Sequence, residues 1–441
     1  MTADTPSSPL ARLLRRIAPI EAREMPVVLA AFALYFCFMA GYFAVRPVRE
    51  TVGTILGRER TANLWVVTWA ASLIIVPLYG VIVARLRRTV FLPLIYGFVG
   101  LVLALIGLAF RGDQPSVFVG QFFYVFISVL NLFLISMFWS FVLELLDRQQ
   151  AKRLIPVVAA GGTAGALMGP LVNDLTVGRI GNSGVLFMGA ALFFLAIAAQ
   201  RVLLRIWHER PAQGQAAAPE RPIGGNPFAG FTLVLRSPYL LGIALFVVLL
   251  STVSTLLYFE QLRLVEEAIS NTTDRTRLFA RLDWIVQSLT ILSQIFITGQ
   301  VAKRFGVTPL VTLIPVAMIF GFLALAVNGT LMVLLFVFVF RRATEYAFIR
   351  PGREMLYSPL DNETRYKAKN VNDVPVYRGA DALSAQVNNA ISAAGLGAVV
   401  VAVLGAVVSA AWALVGWWLG RRFESGRVGA ANETERQTQS R

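Results

Sequence analysis

The sequence contains almost none of the residues that hold metals or form disulfides. It is 441 residues long, with one cysteine, Cys37, and one histidine, His208. A single cysteine excludes an intrachain disulfide framework and a multi-cysteine metal site. A single histidine excludes a histidine-clustered metal centre and argues against a catalytic triad built on histidine. We therefore expect no metal site and no cofactor.

Charged residues are also scarce, and apolar residues take their place. Only 15% of the residues are charged and 56% are hydrophobic, with a mean hydropathy of +0.66. Soluble domains average about 25% charged and about 45–50% apolar residues. The composition therefore argues against an ordinary soluble enzyme and against a disordered chain. Even so, the 40 Lys and Arg exceed the 25 Asp and Glu, which gives a net charge of +15.

The apolar residues are grouped into runs long enough to cross a bilayer. A spanning helix needs about 20 apolar residues, and the sequence contains twelve such runs. This predicts an all-α membrane protein with about twelve transmembrane helices. Only Gly395, Gly397 and Gly405 mark a break between the last two. The predicted spans are 26–45, 63–84, 90–110, 117–144, 155–177, 183–204, 239–260, 284–301, 307–328, 330–350, 382–400 and 402–420.

The connections between the spans differ in their content of Lys and Arg. When the connections are assigned alternately to two sides, one side holds 30 of the 40 basic residues and the other holds 10. Lys and Arg accumulate on the cytoplasmic side of membrane proteins. The asymmetry predicts a multi-pass protein of a bacterial inner membrane with both termini in the cytoplasm.

The longest polar connection divides the chain into two halves. It is rich in Gly, Pro and Gln, which is typical of a flexible linker. The loop 80–85 before the third span has a counterpart in 299–304 before the ninth. Such repetition is typical of parallel-repeat secondary transporters, and the loops resemble those of the major facilitator superfamily, although its usual aspartate is absent. The predicted parts are a cytoplasmic N-terminal segment 1–25, six-helix halves 26–204 and 239–420, a cytoplasmic linker 205–238 and a disordered cytoplasmic tail 421–441.

Several charged residues lie in or at the ends of spans, where they are costly and usually paired or functional. They fall on spans 1, 4, 7 and 10, which is every third helix, and the motif Arg-Pro-x-Arg-Glu occurs at 46–50 and again at 350–354. In the alternative interpretation, these side chains only extend to the headgroups or cap helices. Arginine suits phosphate and carboxylate groups, so the set predicts an anionic substrate. The candidates are Arg46, Arg49, Glu144, Glu260, Arg341, Arg342, Glu345, Arg350 and Arg353.

The segment 348–386 carries a more specific pattern. It reads FIRPGREMLYSPLDNETRYKAKNVNDVPVYRGADALSAQ. It resembles the signature of the ATP/ADP translocase family of plastids and obligate intracellular bacteria. The stretches around Arg46 and around Glu144 resemble that family less specifically, and the likeness covers about residues 25–420. The matching elements of the signature are Pro351, Arg353-Glu354-Met355, Tyr357, Pro359-Leu360-Asp361, Lys367, Lys369 and Arg378.

This resemblance implies ATP binding and ATP:ADP antiport that depend on two basic and two acidic residues. They correspond to Arg49, Glu144, Glu260 and Arg353, with Lys367 or Lys369 as competitors for the last position. Arginine replaces the family's lysine at both basic positions, which keeps the charge but changes the geometry. The remaining candidates for the binding site are Arg341, Arg342, Glu345, Arg350 and Asn388.

Two transport hypotheses follow from these patterns. In the first, the two halves rock around a midplane site and exchange nucleotides or a related anion by alternating access, with gate pairs Arg49–Glu260 and Glu144–Arg353. In the second, the chain is a proton-coupled transporter of another small organic solute, and Glu144 or Glu260 carries the proton. The sequence lacks the P-loop, HExxH and GxSxG motifs of enzymes, whereas a role as a scaffold leaves no motif.

The expected partners are a small, nucleotide-like anion and the lipid bilayer. We expect no nucleic acid to bind, and we expect a monomer. The glycine-rich stretch 161–169 predicts close helix packing through small residues rather than a phosphate site.

Overall fold

The computed structural model describes residues 21, 24–85, 88–110, 115–146, 148–208 and 229–425. Every regular element within these ranges is helical, so the predicted all-α class is confirmed. Most of the predicted N-terminal segment, linker and C-terminal tail lies outside the described residues.

The helices are long and mostly follow one another with short connections. Three of them contain a wider π-helical turn, which we label π1 to π3. The elements are α1 Met25–Leu56, α2 Arg58–Arg85, α3 Arg88–Ala109, α4 Val117–Leu145, α5 Arg148–His208, α6 Ala229–Arg236, α7 Pro238–Ala268, α8 Thr272–Ser293, π1 Gln294–Thr298, α9 Gly299–Phe305, α10 Val307–Val327, α11 Leu331–Thr344, π2 Glu345–Ile349, α12 Arg350–Leu356, α13 Asn362–Val371, π3 Asn372–Val376, α14 Tyr377–Ala393 and α15 Ala398–Glu424.

Eight helices in the described part of the chain are long and apolar enough to cross a membrane. One of them, α5, corresponds to two predicted spans, because the chain breaks at Gly181, where φ is 66°. The tenth predicted span is interrupted by π2, and α14 has only 17 residues. The count of about twelve spans therefore stays a prediction.

Three helices do not end where the predicted spans end. The helices of spans 1 and 7 continue beyond the charged residues at the predicted ends of the spans, to Leu56 and Ala268. Pro47 lacks only one N–H, and a helix in a membrane tolerates it when neighbouring groups replace the lost bond. Span 11 ends at Ala393 rather than at residue 400, because Gly395 has a φ of 72°, which a helix does not accommodate.

The described chain forms two compact units. The first comprises the described residues within Met1–Val52, Val76–Pro222 and Asn271–Trp284. Within it α1 and α5 pack closely, because a Cβ on Gly165 or Gly169 would meet backbone carbonyl oxygens of α1. This confirms the predicted packing role of the glycine-rich stretch.

The second unit comprises the described residues within Gly53–Ile75, Ile223–Ser270 and Ile285–Arg441. Its core lies between α7, α10 and α15, where the rings of Phe246 and Trp412 are 5.6 Å apart. The start of α2 also belongs to this unit, and Trp65 packs against Tyr258 with 5.0 Å between ring centroids. Each half of the sequence thus contributes one segment, Gly53–Ile75 or Asn271–Trp284, to the unit that holds most of the other half. The predicted domain boundaries stay predictions.

Candidate functional site

The first group of candidate residues lies in the first compact unit. We call Arg46, Arg49, Glu50, Ser128 and Asp283 the α1 cluster. Arg46 lies 3.6 Å from the Asp283 carboxylate on α8 and 3.7 Å from Glu50, one turn along α1. Arg49 donates to Glu50 at 2.5 Å and to the Ser128 hydroxyl on α4 at 3.1 Å. The cluster therefore links α1, α4 and α8.

The charges of the α1 cluster balance. Two guanidinium groups lie beside two carboxylates, and both Glu50 and Asp283 are buried. The Arg49 guanidinium also lies over the Tyr124 ring, 5.2 Å from its centroid. Removing ions from water costs several kcal/mol unless each has a partner, so each arginine needs an anion there. In the structure that anion is a carboxylate of the protein itself.

A second group lies in the other compact unit, around π2. We call Ser254, Arg341, Glu345 and Arg350 the π2 cluster. Buried Glu345 lies between two arginines, with Arg341 at 2.7 Å and Arg350 at 3.6 Å. Arg341 also donates to the Ser254 hydroxyl on α7 at 2.6 Å. The Arg350 guanidinium stacks on the Tyr346 ring, 4.2 Å from its centroid, and its side chain is exposed.

The second copy of the Arg-Pro-x-Arg-Glu motif has a different environment from the first. Arg353 pairs with Asp373 of π3 at 3.0 Å, and Glu354 pairs with Lys369 at 2.6 Å. Lys367 pairs with exposed Glu363 on its own helix. Asp373 lies outside the predicted spans, and burial raises the pKa of its carboxyl, opposed by the positive charge of Arg353. The repeat in sequence therefore does not produce a repeat in pairing.

The other candidates are distributed more widely. Glu260 receives the guanidinium of Arg263, three residues along α7. Arg342 is buried with its guanidinium over the Phe338 ring, and Asn388 is buried within α14. Glu144 belongs to α4, but its side chain lies outside the described residues. The gate pairs Arg49–Glu260 and Glu144–Arg353 stay predictions.

Two buried acids, one in the α1 cluster and one near the π2 cluster, were not predicted from the sequence. Asp283 and Asp381 each directly precede the predicted start of a span, at 284 and 382, because a charged residue ended the apolar run there. In the structure α8 begins at Thr272 and α14 at Tyr377, so both acids lie inside helices. Continuing the 3.6-residue period backwards from each apolar run would have included them. Glu50 was visible as part of the repeated motif but was not among the candidates.

Comparison with known proteins gives matches over most of the chain. The family model described as TLC ATP/ADP transporter matches residues 226–423, which include the signature segment 348–386. The chain is also similar to ADP,ATP carrier protein 1 of Chlamydia trachomatis, with 24% identity over 85% of this chain and 83% of the relative. The protein of the same name from Chlamydia pneumoniae is 23% identical over 85% of this chain and 86% of the relative.

The predicted resemblance to the ATP/ADP translocase family is confirmed. The relatives are carriers rather than enzymes, in agreement with the predicted transporter. Among solved structures, the nucleoside transporter NupG matches with a TM-score of 0.62 at 14% identity, covering 90% of this chain and 99% of that one. A bacterial homologue of the iron transporter ferroportin matches with a TM-score of 0.62 at 11% identity, covering 88% and 99%. At these identities the likeness concerns the fold alone, and it confirms the major-facilitator-like class.

Proposed function

We propose that this protein exchanges nucleotides across the bacterial inner membrane by alternating access, with the arginines of the α1 cluster binding the phosphate groups. The observation that carries the proposal is a pair of half-buried arginines inside a spanning helix, neutralised by carboxylates of the chain itself. The named activity of the Chlamydia carriers supports adenine nucleotides as the substrates.

The α1 cluster suggests how an anion enters. Asp283 and Glu50 are the carboxylates that pair with the arginines. A phosphate group offers the same planar guanidinium two oxygens and more charge than a carboxylate. The substrate replaces Asp283 at Arg46, and its release restores the carboxylate contact. In this proposal the conformational change proceeds once a substrate has replaced Asp283 at Arg46, so that movement in each direction carries a substrate, which is exchange.

The proposed setting is a bilayer, with both termini in the cytoplasm and a monomeric protein. The asymmetric distribution of Lys and Arg supports the orientation. Large apolar side chains that are exposed on the spanning helices, such as Leu108 and Phe320, support contact with lipid tails.

Reconstitution tests the proposal directly. Purified protein in liposomes loaded with ADP is given external radiolabelled ATP, and uptake is compared with that of unloaded liposomes. We expect uptake only with internal nucleotide, and we expect Arg49→Ala to lose it. Arg277→Ala is the matched control, because Arg277 pairs with exposed Asp274 at the beginning of α8. Wild-type uptake in Arg49→Ala, or no exchange in the wild type, would contradict the proposal.

A further inference from the structure

The buried acid Asp381 lies on α14, next to the π2 cluster in the same compact unit. Its Oδ1 accepts a hydrogen bond from the Ser251 hydroxyl on α7 at 2.5 Å. Its Oδ2 lies 3.6 Å from Arg378, one turn earlier on α14. Asp381 therefore has one neutral donor and one cation that is too distant for a charge-assisted hydrogen bond, which is typically about 2.7–2.9 Å long.

Other charged and titratable groups also lie near Asp381, on its own helix and on the neighbouring elements. Glu345 and Arg341 are the charged neighbours from the π2 cluster, and Tyr377 is the titratable neighbour on α14 itself. The element α7 presents the Ser251 hydroxyl. Glu345 is held by two arginines, so its carboxylate is firmly compensated. Asp381 is the buried acid of this region whose negative charge is least compensated, and Asp381 is only 7% exposed.

We infer that Asp381 is a proton-binding site that couples proton movement to anion movement. A proton added to Oδ2 neutralises the carboxylate and removes the anion that Arg378 faces, and Oδ1 keeps its bond from Ser251. Arg378 is half-buried, so a freed guanidinium there is able to bind a phosphate oxygen. Proton and anion thus bind together and leave together.

The inference rests on the proposed nucleotide exchange. It accounts for the difference in charge between the nucleotide that enters and the nucleotide that leaves. ATP carries one more negative charge than ADP, so their exchange moves net charge unless a proton accompanies ATP. Glu144 and Glu260 were the predicted proton carriers, but Glu260 is paired with Arg263 on its own helix. Asp381 has the looser pairing that reversible protonation requires.

Proton movement is measured during exchange. Liposomes contain ADP and a pH-sensitive dye, and labelled ATP is added outside. We expect the lumen to acidify during wild-type exchange. Asp381→Asn, which mimics the protonated acid, should exchange while acidification per ATP falls at least several-fold, and Asp381→Glu should restore it. Asp274→Asn, an exposed acid on α8, is the control and should behave as wild type.

The outcomes separate the two proposals. Wild-type exchange without acidification, or undiminished acidification in Asp381→Asn, overturns the proton site and leaves the exchange proposal standing. Absence of exchange in the wild type overturns the proposed function instead. If the wild type does not exchange, infrared difference spectra of the purified protein still test the proton site itself. A C=O band of a buried protonated carboxyl that shifts in Asp381→Glu supports it, and an unchanged band contradicts it.

Discussion

At the scale of the residue, the proposed exchange makes Asp283 a competitor of the substrate for Arg46. The two side chains are 3.6 Å apart. Asp283→Asn keeps the size of the side chain but removes its charge, so one of the two carboxylates beside Arg46 no longer competes with an external anion, while Glu50 remains. We expect a lower KM for nucleotide and a net efflux of labelled nucleotide into nucleotide-free medium, where the wild type should retain it. Both are measured in liposomes. An unchanged KM, together with efflux that still requires external nucleotide, would show that Asp283 has only a structural role.

Glu345 allows a comparison of buried and exposed ion pairs within one region. Its loss leaves Arg341 and Arg350 without their shared carboxylate, and breaking a buried pair costs about 3–5 kcal/mol. Exposed pairs such as Lys367–Glu363 contribute about 0–1 kcal/mol. We therefore expect Glu345→Gln to lower the unfolding temperature in detergent by several degrees and Glu363→Gln to leave it nearly unchanged. Equal shifts for the two variants would contradict this account of the π2 cluster.

Single residues also show how far the sequence permits prediction. Arg46 and Arg49 were found because a charge inside an apolar run is conspicuous, and the repeated motif identified Arg350 and Arg353. Asp283 and Asp381 were missed because each was read as the edge of a span. Which carboxylate pairs with which arginine depends on helices that are distant in sequence, such as α1 and α8, so no local pattern contains it.

At the scale of the element, the path of span 10 was not predictable. The sequence predicts one helix over 330–350, whereas the regular helix ends at Thr344 and π2 follows. The carbonyl oxygen of Ala347 in π2 accepts a hydrogen bond from Thr298 of π1 at 2.9 Å. A π turn is a rare single-turn element within an α-helix, and this contact from a helix distant in sequence is not visible in the local pattern.

The packing of α1 on α5 was predictable, because small residues recur at the spacing of one helix face. A Cβ at Gly169 would meet the carbonyl oxygen of Ala40, and backbone atoms do not move aside. We expect Gly169→Val to destabilise the protein by about 1–3 kcal/mol, the usual range for overpacking. The measurement is thermal unfolding, with Gly299→Ala as control because open space surrounds Gly299. A Gly169→Val variant as stable as the control would contradict close packing.

At the scale of the whole molecule, the predicted topology accounts for most of the net charge of +15. In that topology 30 of the 40 Lys and Arg lie on one side, and the arginines of the α1 and π2 clusters are a small part of the total. Composition and periodicity were sufficient for the all-α class and the transporter fold. They were insufficient for the compact units, because Gly53–Ile75 and Asn271–Trp284 each join the unit that holds most of the other sequence half.

Cysteine labelling tests the orientation of the whole chain. Cys37 is the single cysteine, so Cys37→Ala provides an unreactive background. Ser425 lies just after α15 on the predicted cytoplasmic side, and Asn328 lies between α10 and α11 on the predicted outer side; both are exposed. In intact cells a membrane-impermeant maleimide should label Asn328→Cys and not Ser425→Cys, and in inside-out vesicles the reverse should hold. Each site thus serves as the control for the other. A reversed pattern would mean that the basic connections face outward, and the same side for both would mean an even number of spans between them.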